Sequence, residues 1–267
     1  MRSAISVLTL ILLTQPAAAQ SRPRHLSSDY LFTPGSVAVT LYATGAAFSD
    51  FQRGTAQPVD GEASFSRRVS ATTTAGVAAE LMTWFTPRLG LRVQAAWLPS
   101  RFDVKYDPAG AEYARRHGGS EAPEWTRLDF WTLDAAALIR PPLTLGRVAP
   151  YGILGGGVAT FHAHSAGVVP PEARAAFAGQ ERTAWALVAG LGAVVPLERQ
   201  RMLLAFALTS HLTPTPLNDQ GGGEVFRDGD LDIRMADPAE TGSDGVSLTS
   251  NVRLMVGLTI PLGRIGG

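Results

Sequence analysis

The stretch Asn251-Val252-Arg253-Leu254-Met255-Val256-Gly257-Leu258-Thr259-Ile260-Pro261-Leu262 decides the fold. One parity reads Val252, Leu254, Val256, Leu258, Ile260, Leu262; the other reads Asn251, Arg253, Met255, Gly257, Thr259, Pro261. Successive side chains of a β-strand point to opposite faces, so this segment has one oily face and one polar or small face. A strand carrying Arg253 cannot be sandwiched between two dry sheets, and an unbroken Leu/Val face cannot turn to water. Both faces are satisfied if the oily one meets lipid and the sheet closes on itself, leaving no backbone donor unpaired.

Working outward, seven further segments repeat the pattern. Leu89, Leu91, Val93, Ala95 and Trp97 alternate with Gly90, Arg92, Gln94, Ala96 and Leu98. Val37, Val39 and Leu41 oppose Ala38, Thr40 and Tyr42; Ala75, Val77, Ala79 and Leu81 oppose Thr74, Gly76, Ala78 and Glu80. Trp131, Leu133, Ala135, Ala137 and Ile139 oppose Thr132, Asp134, Ala136 and Arg140. Tyr151, Ile153, Ala159 and Phe161 share a face with Gly155 and Gly157. Trp185, Leu187, Ala189, Leu191 and Val195 form another face, and Met202, Leu204, Phe206 and Leu208 the last. Segments of about ten residues suit tilted membrane-spanning strands, whereas strands of soluble domains average five or six.

The links alternate strictly. Those near 86–88, 141–150 and 196–201 are short to moderate; those at 49–68, 99–124, 163–180 and 213–246 are long and polar. An eight-stranded antiparallel up-and-down transmembrane β-barrel with four long extracellular loops gives that order, with both termini on the short-turn side. Trp84 and Tyr151 fall at turn ends of their segments, and Trp97, Trp125, Trp131, Phe161 and Trp185 towards loop ends. These seven are read as interfacial aromatics at the two lipid–water boundaries.

The N-terminus carries an address. One positive charge in Met1-Arg2-Ser3, an apolar run from Ala4 to Leu13 and the small-residue site Ala17-Ala18-Ala19 make a signal peptide over 1–19. The predicted organisation is then a periplasmic N-terminal segment at 20–35, an outer-membrane barrel at 36–262 and a C-terminal tail at 263–267. Lys+Arg is 23 and Asp+Glu is 23, a balance that excludes a strongly basic nucleic-acid binder. Cys is 0, so disulfides, thiolate metal sites and Cys nucleophiles are excluded.

The signal peptide, the eight alternating segments and the phrases Ala149-Pro150-Tyr151-Gly152-Ile153-Leu154-Gly155-Gly156-Gly157 and Val252-Arg253-Leu254-Met255-Val256-Gly257-Leu258 resemble small bacterial outer-membrane β-barrel proteins. That superfamily includes OmpA-like, OmpW-like and opacity-type barrels. The resemblance implies outer-membrane localisation and contact with outer-membrane lipid and lipopolysaccharide. It also implies a non-enzymatic role in envelope structure, surface interaction or passage of small or hydrophobic solutes. Such barrels usually end in an aromatic residue, and this sequence ends Ile265-Gly266-Gly267.

Candidate site residues follow from the parity. With the greasy face on lipid, Glu80, Arg92, Gln94, Asp134, Arg140, Asn251 and Arg253 face the lumen as a charge and polar network. The turn at Pro87 brings Glu80 near Arg92, and Asp134 and Arg253 sit on opposite strands. The network reads as an ion-paired plug, with a gate for small solutes as the alternative. His162, His164-Ser165 and Ser210-His211 read as surface residues. As a metal site they lack a third ligand, and as a Ser–His pair they lack a placed acid. Neither a catalytic residue nor a metal or cofactor site is therefore assigned. A lipid-modifying enzyme resembling the lipid A deacylases and a soluble exported barrel that binds a ligand inside stay as alternatives. The link at 213–246 has eight acids against Arg227 and Arg234 and is a weak candidate for a divalent cation. The Gly155-Gly156-Gly157 run lacks the context of a nucleotide fingerprint and reads as small residues that let strands approach.

Overall fold

A computed structural model describes residues 31–58, 64–116, 127–142, 145–164, 181–197, 202–214, 225–228, 231–235 and 248–264. The signal peptide at 1–19, Trp125, and most of the acidic link at 213–246 lie outside the described residues.

Eight long strands make the ring: β1 (Ser36–Phe48), β4 (Thr74–Trp84), β5 (Leu89–Tyr106), β6 (Arg127–Ile139), β7 (Ala149–His164), β8 (Glu181–Pro196), β9 (Leu203–Pro214) and β12 (Leu248–Arg264). Each pairs antiparallel with its neighbours in the order β1, β4, β5, β6, β7, β8, β9, β12, and β12 returns to β1. The sheet is closed, so its transmembrane-length strands present no open edge.

Two tight turns show how the short links work. Between β4 and β5 the Thr86 hydroxyl oxygen accepts the backbone N–H groups of Arg88 (3.2 Å) and Leu89 (2.9 Å). Such local side-chain bonds satisfy backbone donors that a turn would otherwise expose. Between β6 and β7, Leu145 bridges Val148 around Gly146, whose φ of 64° suits a residue without Cβ.

The long links carry structure that polarity alone did not reveal. The link at 49–68 holds β2 (Gln52–Pro58) and the start of β3 (Phe65–Ala71), which pair with each other. β3 also pairs with the outer end of β5, and β2 pairs with β11 (Leu231–Met235), itself the partner of β10 (Val225–Asp228). Beyond β5 lies the helix α1 (Pro108–Arg116). Asp107 precedes Pro108 and accepts the N–H groups of Gly110 and Ser66, each at 2.8 Å. An acidic N-cap followed by Pro starts a helix because both suit its unpaired first turn.

The parity separates outside from inside. On β12 Val252, Leu254, Val256, Leu258 and Ile260 are exposed, with Leu254 at 61%, while Asn251, Arg253, Met255 and Thr259 are buried. On β5 Leu89, Leu91 and Val93 are exposed and Arg92 and Gln94 buried. A barrel whose exposed belt is Leu, Val and Ile needs a solvent as apolar as those side chains.

β7 departs from the simple rule. Its Tyr151, Ile153, Ala159 and Phe161 are buried inside, and Leu154 and Val158 face out. An eight-stranded ring is just wide enough for side chains to fill, and β7 joins β4, β5 and β6 in supplying bulky fillers inward. Gly155 and Gly157 lie on that inner parity. A Cβ on either would stand 2.2 Å and 2.1 Å from the carbonyl oxygens of Ala135 and Leu133 on β6. The two strands approach too closely there for any side chain.

Candidate functional site

The lumen is filled in three layers. At the short-turn end, Leu31 and Phe32 precede β1 and tuck beneath it, among Met82, Trp84, Leu138 and Tyr151. The Phe32 ring meets Trp84 edge-on, with centroids 4.7 Å apart, and Arg140 lies 4.1 Å above the same ring. The Gly35 N–H bonds the Trp84 carbonyl at 2.7 Å, and the Ser36 hydroxyl donates to the Leu31 carbonyl. The end of the expected periplasmic segment therefore stops the barrel mouth.

The middle layer is ionic. Arg92 donates to Glu80 at 2.9 Å and to Asp134 at 3.2 Å. Glu80 also accepts the Gln94 amide (3.2 Å) and the Tyr42 hydroxyl (3.3 Å). Asp134 turns its other oxygen to His211 Nε2, 3.2 Å away, which makes Nε2 the protonated nitrogen facing the carboxylate. From the opposite wall, Arg253 Nη1 donates to the Thr132 hydroxyl of β6 at 2.9 Å and its Nε to Asn251 at 2.8 Å. Arg92 and Arg253 have no measurable exposure. Two guanidinium groups and two carboxylates thus share the layer. Burying them is tolerable because each makes charge-assisted hydrogen bonds.

The third layer, at the loop end, is aromatic. Phe51, Phe130 and Phe161 are buried together with Leu98 and Leu128, and Phe48 packs against them. Their rings meet edge-on or tilted at centroid distances of 4.7–6.0 Å. Arg253 lies beneath this layer, its guanidinium 5.5 Å from the Phe130 ring centre.

Against the sequence reading, Glu80, Arg92, Gln94, Asp134, Asn251 and Arg253 all sit in the lumen, and Arg140 sits half-buried at the mouth. Asp134 meets Arg92 and His211, whereas Arg253 bonds Thr132 one step along β6. His211, read as a surface residue, is buried in the network. The parity of β9 contained that answer: with Phe206 and Leu208 outward, His211 falls on the face of Ala205, Ala207 and Thr209. Ser210 consequently points the other way, so Ser210 and His211 do not face each other.

Among the expected interfacial aromatics, Trp131 and Trp185 are exposed, and Trp97, half-buried, stacks on Trp131 with centroids 5.8 Å apart. Trp84, Tyr151 and Phe161 are corrected: each is at most 3% exposed and points inward. Position along a strand sets height in the membrane, but parity sets the side, and these three lie on inward parities. Leu31, Phe32 and Phe51 were not foreseen, because they lie outside the alternating segments.

No family model matches the chain, and no curated protein does. Solved structures do. The outer membrane protein OprG from Pseudomonas aeruginosa matches at 13% identity and TM-score 0.51, over 86% of this chain and 97% of that one. The outer membrane protein AlkL matches at 10% identity and TM-score 0.49, over 96% and 99%. Ail, the attachment invasion locus protein of Yersinia pestis, matches at 12% identity and TM-score 0.38, over 85% and 100%. The OprG likeness speaks for the fold alone, and the two lower scores carry no argument. Ring closure, strand number, exposed apolar belt and the OprG likeness agree: the chain has the fold of the small eight-stranded outer-membrane β-barrels of bacteria.

Proposed function

We propose that the chain is an integral outer-membrane barrel with a closed interior, exported by its signal peptide, that serves envelope structure and surface interaction. The observation that carries this reading is the brace of Arg92, Glu80, Asp134, His211 and Arg253 between two apolar layers. A solute entering from the loop end meets packed rings, and one entering from the short-turn end meets Leu31, Phe32 and Arg140; both then reach buried charges already held in hydrogen bonds that no small solute replaces without cost. We read the role as non-enzymatic; Ser210 and His211 lie on opposite faces of β9, which argues against their acting as a pair. Purified barrel in planar bilayers tests the proposal. The wild-type protein gives no channel steps, and Arg253→Leu lowers stability without adding conductance. Channel steps from the wild type, or a conductance gained in Arg253→Leu, would instead make the network a gate.

A second reading, passage of a small hydrophobic solute, is favoured by the apolar layer of Phe48, Phe51, Phe130 and Phe161 at the loop end. Solute uptake into proteoliposomes that Phe51→Ala alters would support it.

A further inference from the structure

The outward face of the β5–β6 pair carries an arrangement that the closed lumen does not explain. Trp97 pairs in register with Trp131, Pro99 with Asp129, and Arg101 with Arg127. Residues two apart share a face, so the stacked indoles and the two guanidiniums rise along one outer surface. The alternate residues Leu98, Ser100, Leu128 and Phe130 are buried, which confirms that Arg101 and Arg127 point away from the lumen.

Like charges directly opposite on paired strands repel. Asp129, the carboxylate on this face between the Trp pair and the arginines, stands 3.6 Å from Arg127 Nε, and the Arg127 side chain remains 60% exposed. Further out, Lys105 is already matched by Asp103 at 2.9 Å. Among the described residues the Arg101–Arg127 patch therefore keeps an excess positive charge. Its height is informative. Four residues beyond the Trp pair correspond to about 13 Å along a strand, or about 10 Å along the axis of a barrel with strands tilted by about 40°. Trp rings sit at the edge of the hydrocarbon. A pair of guanidiniums at that height above them lies in the headgroup layer, where the fixed anions are phosphates.

We propose that Arg101 and Arg127 seat the phosphate of an outer-leaflet glycolipid, whose acyl chains lie against Trp97 and Trp131. Two planar guanidiniums carried on register-paired positions of neighbouring strands can offer a tetrahedral phosphate paired hydrogen bonds, which a single lysine would not do. The aromatic shelf below selects an anion that carries hydrocarbon. This proposal rests on the outer-membrane reading, since it requires a lipid leaflet around β5 and β6.

The test uses the full barrel in detergent micelles and three probes: a bis-phosphorylated glucosamine-disaccharide lipid, the same lipid without phosphates, and inorganic phosphate. Binding is read by native mass spectrometry, and folding by the shift in gel mobility on heating. Arg101→Gln/Arg127→Gln weakens binding of the phosphorylated lipid by about tenfold or more, the scale of lost charge-assisted hydrogen bonds. Removing the phosphates from the lipid weakens wild-type binding equally and the double variant no further. Arg147→Gln, at the short-turn end, binds as wild type. Equal binding of both lipids, or a double variant that binds as wild type, overturns the proposal. Inorganic phosphate binding as tightly as the lipid overturns it in favour of a free-anion site. A wild-type chain that shows no heat-shifted form overturns the barrel reading itself, and the lipid seat with it.

Discussion

Asp134 is the joint of the lumen brace, and its removal is the most informative single change. One oxygen accepts Arg92 and the other accepts His211, both at 3.2 Å. Asp134→Ala leaves the Arg92 guanidinium with Glu80 alone and strips the imidazole of its acceptor. Breaking a buried pair by removing one partner costs about 3–5 kcal/mol. Because Arg92 keeps Glu80 at 2.9 Å, the lower end applies, about 3 kcal/mol, or roughly a 150-fold fall in the folding equilibrium. Urea unfolding in lipid vesicles, scored by the heat-shifted gel band, should show the midpoint fall by about 1–3 M for a typical urea dependence. In a double-mutant cycle, His211→Ala should lose most of its own cost once Asp134 is gone, since the pair then has nothing left to break. A loss for Asp134→Ala below about 0.5 kcal/mol, the range of ordinary surface substitutions, would refute the claim that the brace holds the barrel. So would additive costs for Asp134→Ala and His211→Ala.

Two further predictions probe packing and a loop. A Cβ built on Gly192 would stand 2.3 Å from the Tyr151 ring, whereas one on Gly45 meets nothing within 4 Å. Gly192→Ala should therefore cost about 1–3 kcal/mol of unfolding free energy by overpacking and Gly45→Ala almost nothing, and equal effects would contradict the assigned faces. The backbone N–H groups of Ser66 and Gly110 hold the Asp107 carboxyl below its usual range. A depressed carboxylate contributes stability above its unfolded pKa and loses it as pH falls through the folded one. Protection of the α1 amides from hydrogen exchange, taken relative to the intrinsic rate at each pH, should accordingly fall below about pH 4, and Asp107→Ala should lower it at neutral pH and remove that acid response. An unchanged acid response in Asp107→Ala would show that another group controls the loop.

How much of this was legible in the sequence follows from the solvent each residue meets. Lipid-facing positions on β5 and β12 are uniformly oily, so alternation gave strand, face and closure together. Arg92 and Arg253 then had only one place to go. Interior positions carry no such uniform signal, because a small barrel fills its lumen with whatever fits: Tyr151, Gly155 and Phe161 succeed one another on one face of β7. His211 and the three inward aromatics were misplaced for that reason. The partner of Arg253 depends on strand stagger, which parity does not encode. Residues 52–58, 225–228 and 231–235 form strands by pairing with distant segments, and Leu31 and Phe32 find their place only once a ring exists to receive them.

The central claim is that Leu254 and Val256 lie in hydrocarbon while Met255 between them lies in the packed lumen. The chain has no cysteine of its own, so single spin labels at Leu254→Cys, Met255→Cys and Val256→Cys in lipid vesicles test it directly. Collisions with dissolved oxygen should be frequent at 254 and 256 and rare at 255, with all three shielded from a water-soluble nickel chelate. Free access of the chelate to 254 and 256, or frequent oxygen collisions at 255 with few at its neighbours, would contradict the account.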